Sequence, residues 1–194
     1  PKDCAATDGD GNATPFLAGK GWGQYLNVSK QFYDTYEEND LRKASVITSY
    51  YSTSYKCMVT SDDIGSKWSG YILNKYPIEV KNQYQPGNIP LARWADVLLM
   101  YAEADVRKSS SVTTNAIDCV NQVRNRAGLD NLPASATASV AAFLDALLAE
   151  RGHELLFEGC RKIDLIRFNK YYTTMSAFGP SRTPTSQYLS LIHI

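Results

Sequence analysis

Residues 89–104 read IPLARWADVLLMYAEA, and the spacing of their apolar side chains decides the fold class. Leu91, Trp94, Ala95, Leu98, Leu99 and Ala102 recur at helical intervals, and Pro90 suits a first helical turn, where no amide donor is needed. A second helix is expected after Thr113 or Thr114, either of which can cap it. Ile117, Val120, Val123 and Ala127 form its apolar stripe, and Gly128 is a natural stop. After Pro133, the positions Val140, Phe143, Leu144, Leu147, Leu148, Leu155 and Leu156 predict a long amphipathic helix ending near Gly159, then a shorter one from Arg161 to Asn169. Four helices in two hairpins point to a mainly α, tetratricopeptide-like stack, although no strict repeat of about 34 residues is visible.

Upstream the character changes. DGDGN at residues 8–12 and GKGWG at residues 19–23 are turn chemistry, so little regular structure is expected over residues 1–30. Val28 to Glu38 predicts a short helix, and Val46 to Tyr51 and Tyr71 to Tyr76 have the β-branched and aromatic bias of short strands. The chain therefore divides into a loop-rich, partly β aromatic segment (1–88), a helical region (89–170) and an irregular tail (171–194).

With 194 residues and 44% hydrophobic content, the chain can bury a substantial core. Its 20 basic and 20 acidic residues cancel, which argues against nucleic acid or an anionic membrane surface as partner. No apolar run is long enough for a transmembrane helix. Pro1 follows neither an initiating Met nor a charged-then-apolar leader, so the sequence reads as a fragment. Cys4, Cys57, Cys119 and Cys160 lie far apart without a CxxC pair, which gives no support for zinc; Cys119 and Cys160 read as small hydrophobes in helices.

Glu150, Glu154 and Glu158 stand four residues apart on one helix face, a geometry that allows paired acid and base work. Arg151, Arg161, Lys162 and Arg167 lie nearby, however, and such mixtures usually tie helices together. Glu154 or Glu158 is expected to pair with Arg161 or Arg167. His153 lacks further ligands at metal-binding spacing. Asp8, Asp10 and Asn12 imitate the opening of a calcium loop, but Ala13 and Gly19 occupy the positions that need Gly and Glu. No catalytic residue, metal site or cofactor is assigned.

The upstream half is rich in tyrosine and tryptophan. Such rings can stack on the C–H face of a pyranose while polar neighbours take its hydroxyls. Trp22 and Tyr25, beside the glycines of GKGWG, lead the ligand-binding candidates, with Trp68 and Tyr71 alongside them.

Three stretches, IPLARWADVLLMYAEA (89–104), AIDCVNQVRNRAGL (116–129) and ERGHELLFEGCRKIDLIRF (150–168), resemble in order and spacing the C-terminal signature of the SusD/RagB family. Asn39-Asp40-Leu41-Arg42 and Lys75-Tyr76 are similar to shorter landmarks of that family, so the likeness runs from about Phe32 to Phe168. The resemblance implies a helical, non-catalytic lipoprotein at the outer-membrane surface. Such a protein captures oligosaccharides or polysaccharides and hands them to a TonB-dependent, SusC-like barrel. It also implies a longer protein whose N-terminal half carries the lipid anchor, the sole membrane attachment. The closing LSLIHI (Leu189 to Ile194) departs from the family's usual ending and resembles translated sequencing-adaptor text, so no role is assigned to it. Two other readings stand beside the glycan-binding one: a helical-repeat adaptor that binds only protein, and a glycoside hydrolase built on the Glu150, Glu154, Glu158 face.

Overall fold

A computed structural model describes residues 10–11, 27–64, 71–75 and 90–177. These fall into two compact units, one comprising Pro1–Ile89 with Ala127–Leu129, the other Pro90–Arg126 with Asp130–Ile194.

In the first unit, β1 (Asn27–Val28), β5 (Tyr71–Leu73) and β2 (Val46–Ile47) make an antiparallel sheet in the order β1-β5-β2, and β3 (Ser49–Tyr51) pairs with β4 (Met58–Thr60). The helix expected over Val28–Glu38 is a single turn, α1 (Lys30–Tyr33), opened by Ser29 Oγ, which accepts from the Phe32 amide at 3.2 Å. The chain breaks off there into turns. α2 (Ser61–Ile64) is similarly brief.

Asp40 explains the Asp40-Leu41-Arg42 landmark. Its buried carboxylate caps the 3-10 turn Leu41–Ser45 through the Arg42 amide at 2.9 Å and grips the Arg42 guanidinium at 2.7 to 3.2 Å. The Leu41 amide donates to the Ala127 carbonyl at 3.0 Å. Gly128 follows with φ +80°, and a β-carbon there would sit 3.0 Å from Leu41 Cγ, so both backbone sign and space favour glycine.

The second unit is helical: α3 (Trp94–Ser109), α4 (Thr114–Arg126), α5 (Ala134–Thr137), α6 (Val140–Glu154), α7 (Cys160–Arg167) and α8 (Tyr171–Ser176). α3 and α4 form a hairpin, α6 packs on both, and α7 packs on α6, which gives the mainly α, tetratricopeptide-like layout expected from the sequence. Leu99, Ala102, Val106, Ala116, Val120, Phe143 and Leu147 are fully shielded from solvent and make the core.

Element ends differ from the periodic pattern. α3 starts at Trp94 rather than Pro90, because Arg93 is extended (φ −145°, ψ 163°) and serves as the cap residue. α4 matches its expected cap, with Thr113 Oγ1 accepting from the Ala116 amide at 3.1 Å. α6 opens on Ser139 and stops at Glu154, short of Gly159: the Leu155 backbone leaves the helical region, and Phe157 beyond it adopts a left-handed φ of 68°. α8 lies at the start of the stretch expected to be irregular.

Phe143→Ala should lower stability by about 3–5 kcal/mol in urea unfolding, since it empties a site with no solvent access. Phe157→Ala, at a ring 52% exposed, should stay within roughly 0.5 kcal/mol of the parent.

Candidate functional site

The glutamates at the end of α6 are the natural place to look for chemistry; Glu150 and Glu154 lie on the helix, Glu158 falls in the turn after it rather than on the same helix face, and arginines hold all three. Glu150 accepts from Arg124 at 3.4 Å. Glu154, with its side chain 1% exposed, is held by the guanidinium groups of Arg93 and Arg126, and Arg93 Nε donates to Glu158 at 2.8 Å. Arg167, expected at Glu154 or Glu158, goes elsewhere. It clamps Glu103 on α3 through two nitrogens at 2.8 and 3.0 Å and donates to Asp164 at 2.8 Å.

Asp164 also accepts from Arg151 Nε at 2.8 Å, and Arg151 Nη1 reaches Asp96 at 2.9 Å. With Arg107 donating to Glu103 at 2.8 Å, a continuous relay of charges joins α3, α6 and α7. Arg93, the partner that sequence reasoning missed, lies in the first signature stretch. Its presence there, beside a helix start, was the available signal.

Burial pushes the Glu154 carboxyl up, but the hydrogen bonds and charges of Arg93 and Arg126 outweigh it and hold the group below the usual glutamate range. Glu103 is lowered against its burial in the same way, by Arg167 and Arg107. A carboxyl held ionised between two arginines is a poor proton donor, and Glu154 ties the ends of α3, α4 and α6 together. Burial also pushes the Cys119 and Cys160 thiols up, which makes them poor nucleophiles. Among the described residues no group of three His, Cys, Asp or Glu side chains could hold a metal ion, and no helix is long and apolar enough to cross a membrane.

The aromatic candidates belong to the first unit. Trp22, Tyr25 and Trp68 lie outside the described residues. Tyr71 on β5 is half-buried. Its ring stands edge-on to Tyr33, 5.0 Å between centroids, and the Lys30 ammonium lies 5.9 Å from its centre. Tyr33 in turn touches Tyr36 at 6.1 Å, and Phe32 meets Tyr36 edge-on at 5.7 Å. The sheet pairing that sets Val28 opposite Tyr71 brings the start of α1 and β5 together, so Tyr71 is one wall of a small aromatic and cationic cluster.

In the second unit a groove of about 530 Å³ runs between α3 and α7. Met100, Ala104 and Ile163 give it apolar walls, and Glu103, Arg107, Arg151, Asp164 and Arg167 line it with charges that are paired with carboxylates or guanidinium groups. Trp94, Val97 and Tyr101 extend the exposed apolar surface of α3.

The SusD family model (SusD_RagB) matches residues 8–189. The chain belongs to the SusD family. A SusD-like protein, P38, of Formosa agariphila is 34% identical over 110 residues, which are 53% of this chain and 22% of that protein. The surface glycan-binding protein A of Bacteroides uniformis has a solved structure that covers 97% of this chain at 26% identity and TM-score 0.60, over 37% of its own length. A SusD superfamily protein of Bacteroides vulgatus covers 88% at 25% identity and TM-score 0.63, over 40% of its own length. The chain thus spans well under half the length of these relatives. In this SusD-family chain the three signature stretches supply the paired charges just described, which marks them as helix-packing devices.

The lowered Glu154 and Glu103 carboxyls should show in acid. Each stabilises the fold fully above the unfolded glutamate value of about 4.3, and that contribution is lost as pH falls through the lower folded value. Glu154→Gln should cost about 3 kcal/mol at pH 7, because it leaves arginines short of a partner, and should flatten the stability loss below pH 4 in chemical unfolding followed by circular dichroism.

Proposed function

We propose that this chain is part of a surface glycan-binding subunit that captures oligosaccharides and passes them to a TonB-dependent, SusC-like barrel, without cleaving them. Membership of the SusD family carries the reading, and the likeness along nearly the whole chain to a surface glycan-binding protein supports it. The arginine-held glutamates favour capture over hydrolysis, since a glycosidase needs two carboxyls about 5 to 10 Å apart facing an open cleft. On this reading the protein sits at the outer-membrane surface, held by a lipid anchor, and needs no cofactor. The sugar-contacting rings are Trp22, Tyr25, Trp68 and Tyr71. Tyr71 sits within a lysine-flanked aromatic cluster, and its neighbours supply the polar groups that hydroxyls require.

A protein-only adaptor is the second reading. The exposed Trp94, Val97, Met100 and Tyr101 on α3, with Ile163 on α7, favour it.

Calorimetric titration with a panel of soluble oligosaccharides, with reducing sugar assayed alongside, separates the two. Binding without sugar release, weakened roughly two- to twelvefold by Trp22→Ala and Tyr71→Ala, is the expected result. Silence across the panel would favour the adaptor, and released sugar would restore the hydrolase.

A further inference from the structure

The β3–β4 hairpin is built to present one tyrosine. Tyr50 and Val59 face each other across it and are each 3% exposed, so their neighbours Tyr51 and Met58 occupy the other face. The connection from Ser52 to Cys57 is laced internally. The Ser52 amide donates to the Cys57 carbonyl at 2.9 Å, the Lys56 amide to the Ser52 carbonyl at 3.0 Å, the Tyr55 amide to Ser52 Oγ at 3.0 Å, and the Tyr51 hydroxyl to the Lys56 carbonyl at 2.9 Å. Tyr55 therefore stands on an ordered turn, yet its side chain is 64% exposed and its hydroxyl has no partner among the described residues.

Asp63 completes the constellation. Its Oδ2 accepts from both the Thr60 amide and the Thr60 hydroxyl, at 2.6 and 2.8 Å, which fixes the carboxylate and leaves Oδ1 without a partner among the described residues. Those bonds to Thr60 hold the group below the usual aspartate range, so it is ionised at neutral pH. Between these side chains lies a cavity of about 150 Å³ lined by Tyr55, Cys57, Met58, Val59 and Asp63. That is below the roughly 300–1,000 Å³ of pockets that enclose larger ligands, so it has room for a single ring.

We propose that this cavity is a subsite for one neutral pyranose, a reading that rests on the glycan-binding function proposed above. Tyr55 and Met58 form the apolar wall for the C–H face, and the Tyr55 hydroxyl and Asp63 Oδ1 take the sugar hydroxyls. The negative Asp63 selects against uronic acids and sulfated sugars, which bring their own anion.

The test is calorimetric titration of the protein with neutral gluco-, manno- and xylo-oligosaccharides and with oligogalacturonides, on the parent chain, Tyr55→Ala and Asp63→Asn. Tyr55→Ala removes an exposed ring from a turn whose hydrogen bonds use backbone and other side chains, so its melting curve should not move. The expected result is that a neutral oligosaccharide bound by the parent binds about five- to tenfold more weakly to each variant, with the uronides bound less well. Equal binding by parent and Tyr55→Ala overturns the subsite and leaves the glycan-binding function standing. A preference for uronides overturns the neutral-sugar assignment, and failure of the parent to bind any glycan overturns the function and the subsite together.

Discussion

A carboxylate with 1% of its side chain exposed is tolerable only if positive charge is brought to it, and Glu154 sets that requirement for the helical unit. Arg93 reaches it from the residue before α3, Arg126 from the end of α4, and Arg93 is also hydrogen-bonded to Glu158 beyond the end of α6. Three helices are thereby fixed at their ends while Leu99, Val120, Phe143 and Leu147 fill the space between them. Apolar packing supplies the drive to collapse. The ion pairs add register, because sliding one helix past another would strand a buried charge.

The relay from Arg107 through Glu103, Arg167, Asp164 and Arg151 to Asp96 repeats this logic between α3, α6 and α7. Arg107, Arg151 and Arg167 line the groove between α3 and α7, and each is committed to a carboxylate.

Periodicity made most of the core legible: Leu99, Ala102, Val120, Phe143 and Leu147 were placed inward by spacing alone and are inward, whereas Leu91 and Trp94 of the same stripe are exposed, lying before or at the first residue of α3. It did not place the end of α6, because Leu155 and Leu156 continue the apolar pattern. The helix closes at Leu155, whose backbone leaves the helical region, and Phe157 beyond it is left-handed; a hydrophobicity pattern carries no information about either backbone angle. Arg167 as a partner of Glu154 was misread for a related reason. Arg167 is near Glu154 in sequence, whereas Arg93 is 61 residues away, and stacking decides which side chains meet. Tyr71 was legible as an aromatic with a polar end, but its meeting with Tyr33 and Lys30 comes from the β1-β5-β2 pairing, which no local pattern records.

The two units therefore use side chains differently. In the helical unit nearly every charged group named above is consumed by another, and a group so consumed has little left to offer a ligand. In the first unit the Tyr55 hydroxyl sits on a hairpin whose own hydrogen bonds are already made, and one Asp63 oxygen stands beside it on α2, where the other is held by Thr60. Recognition of a neutral sugar needs that second condition: rings and acceptors ordered before the ligand arrives, so that weak C–H and hydroxyl contacts need not also offset the entropy of fixing a loop. On the proposed reading, the laced β3–β4 hairpin meets that condition for Tyr55.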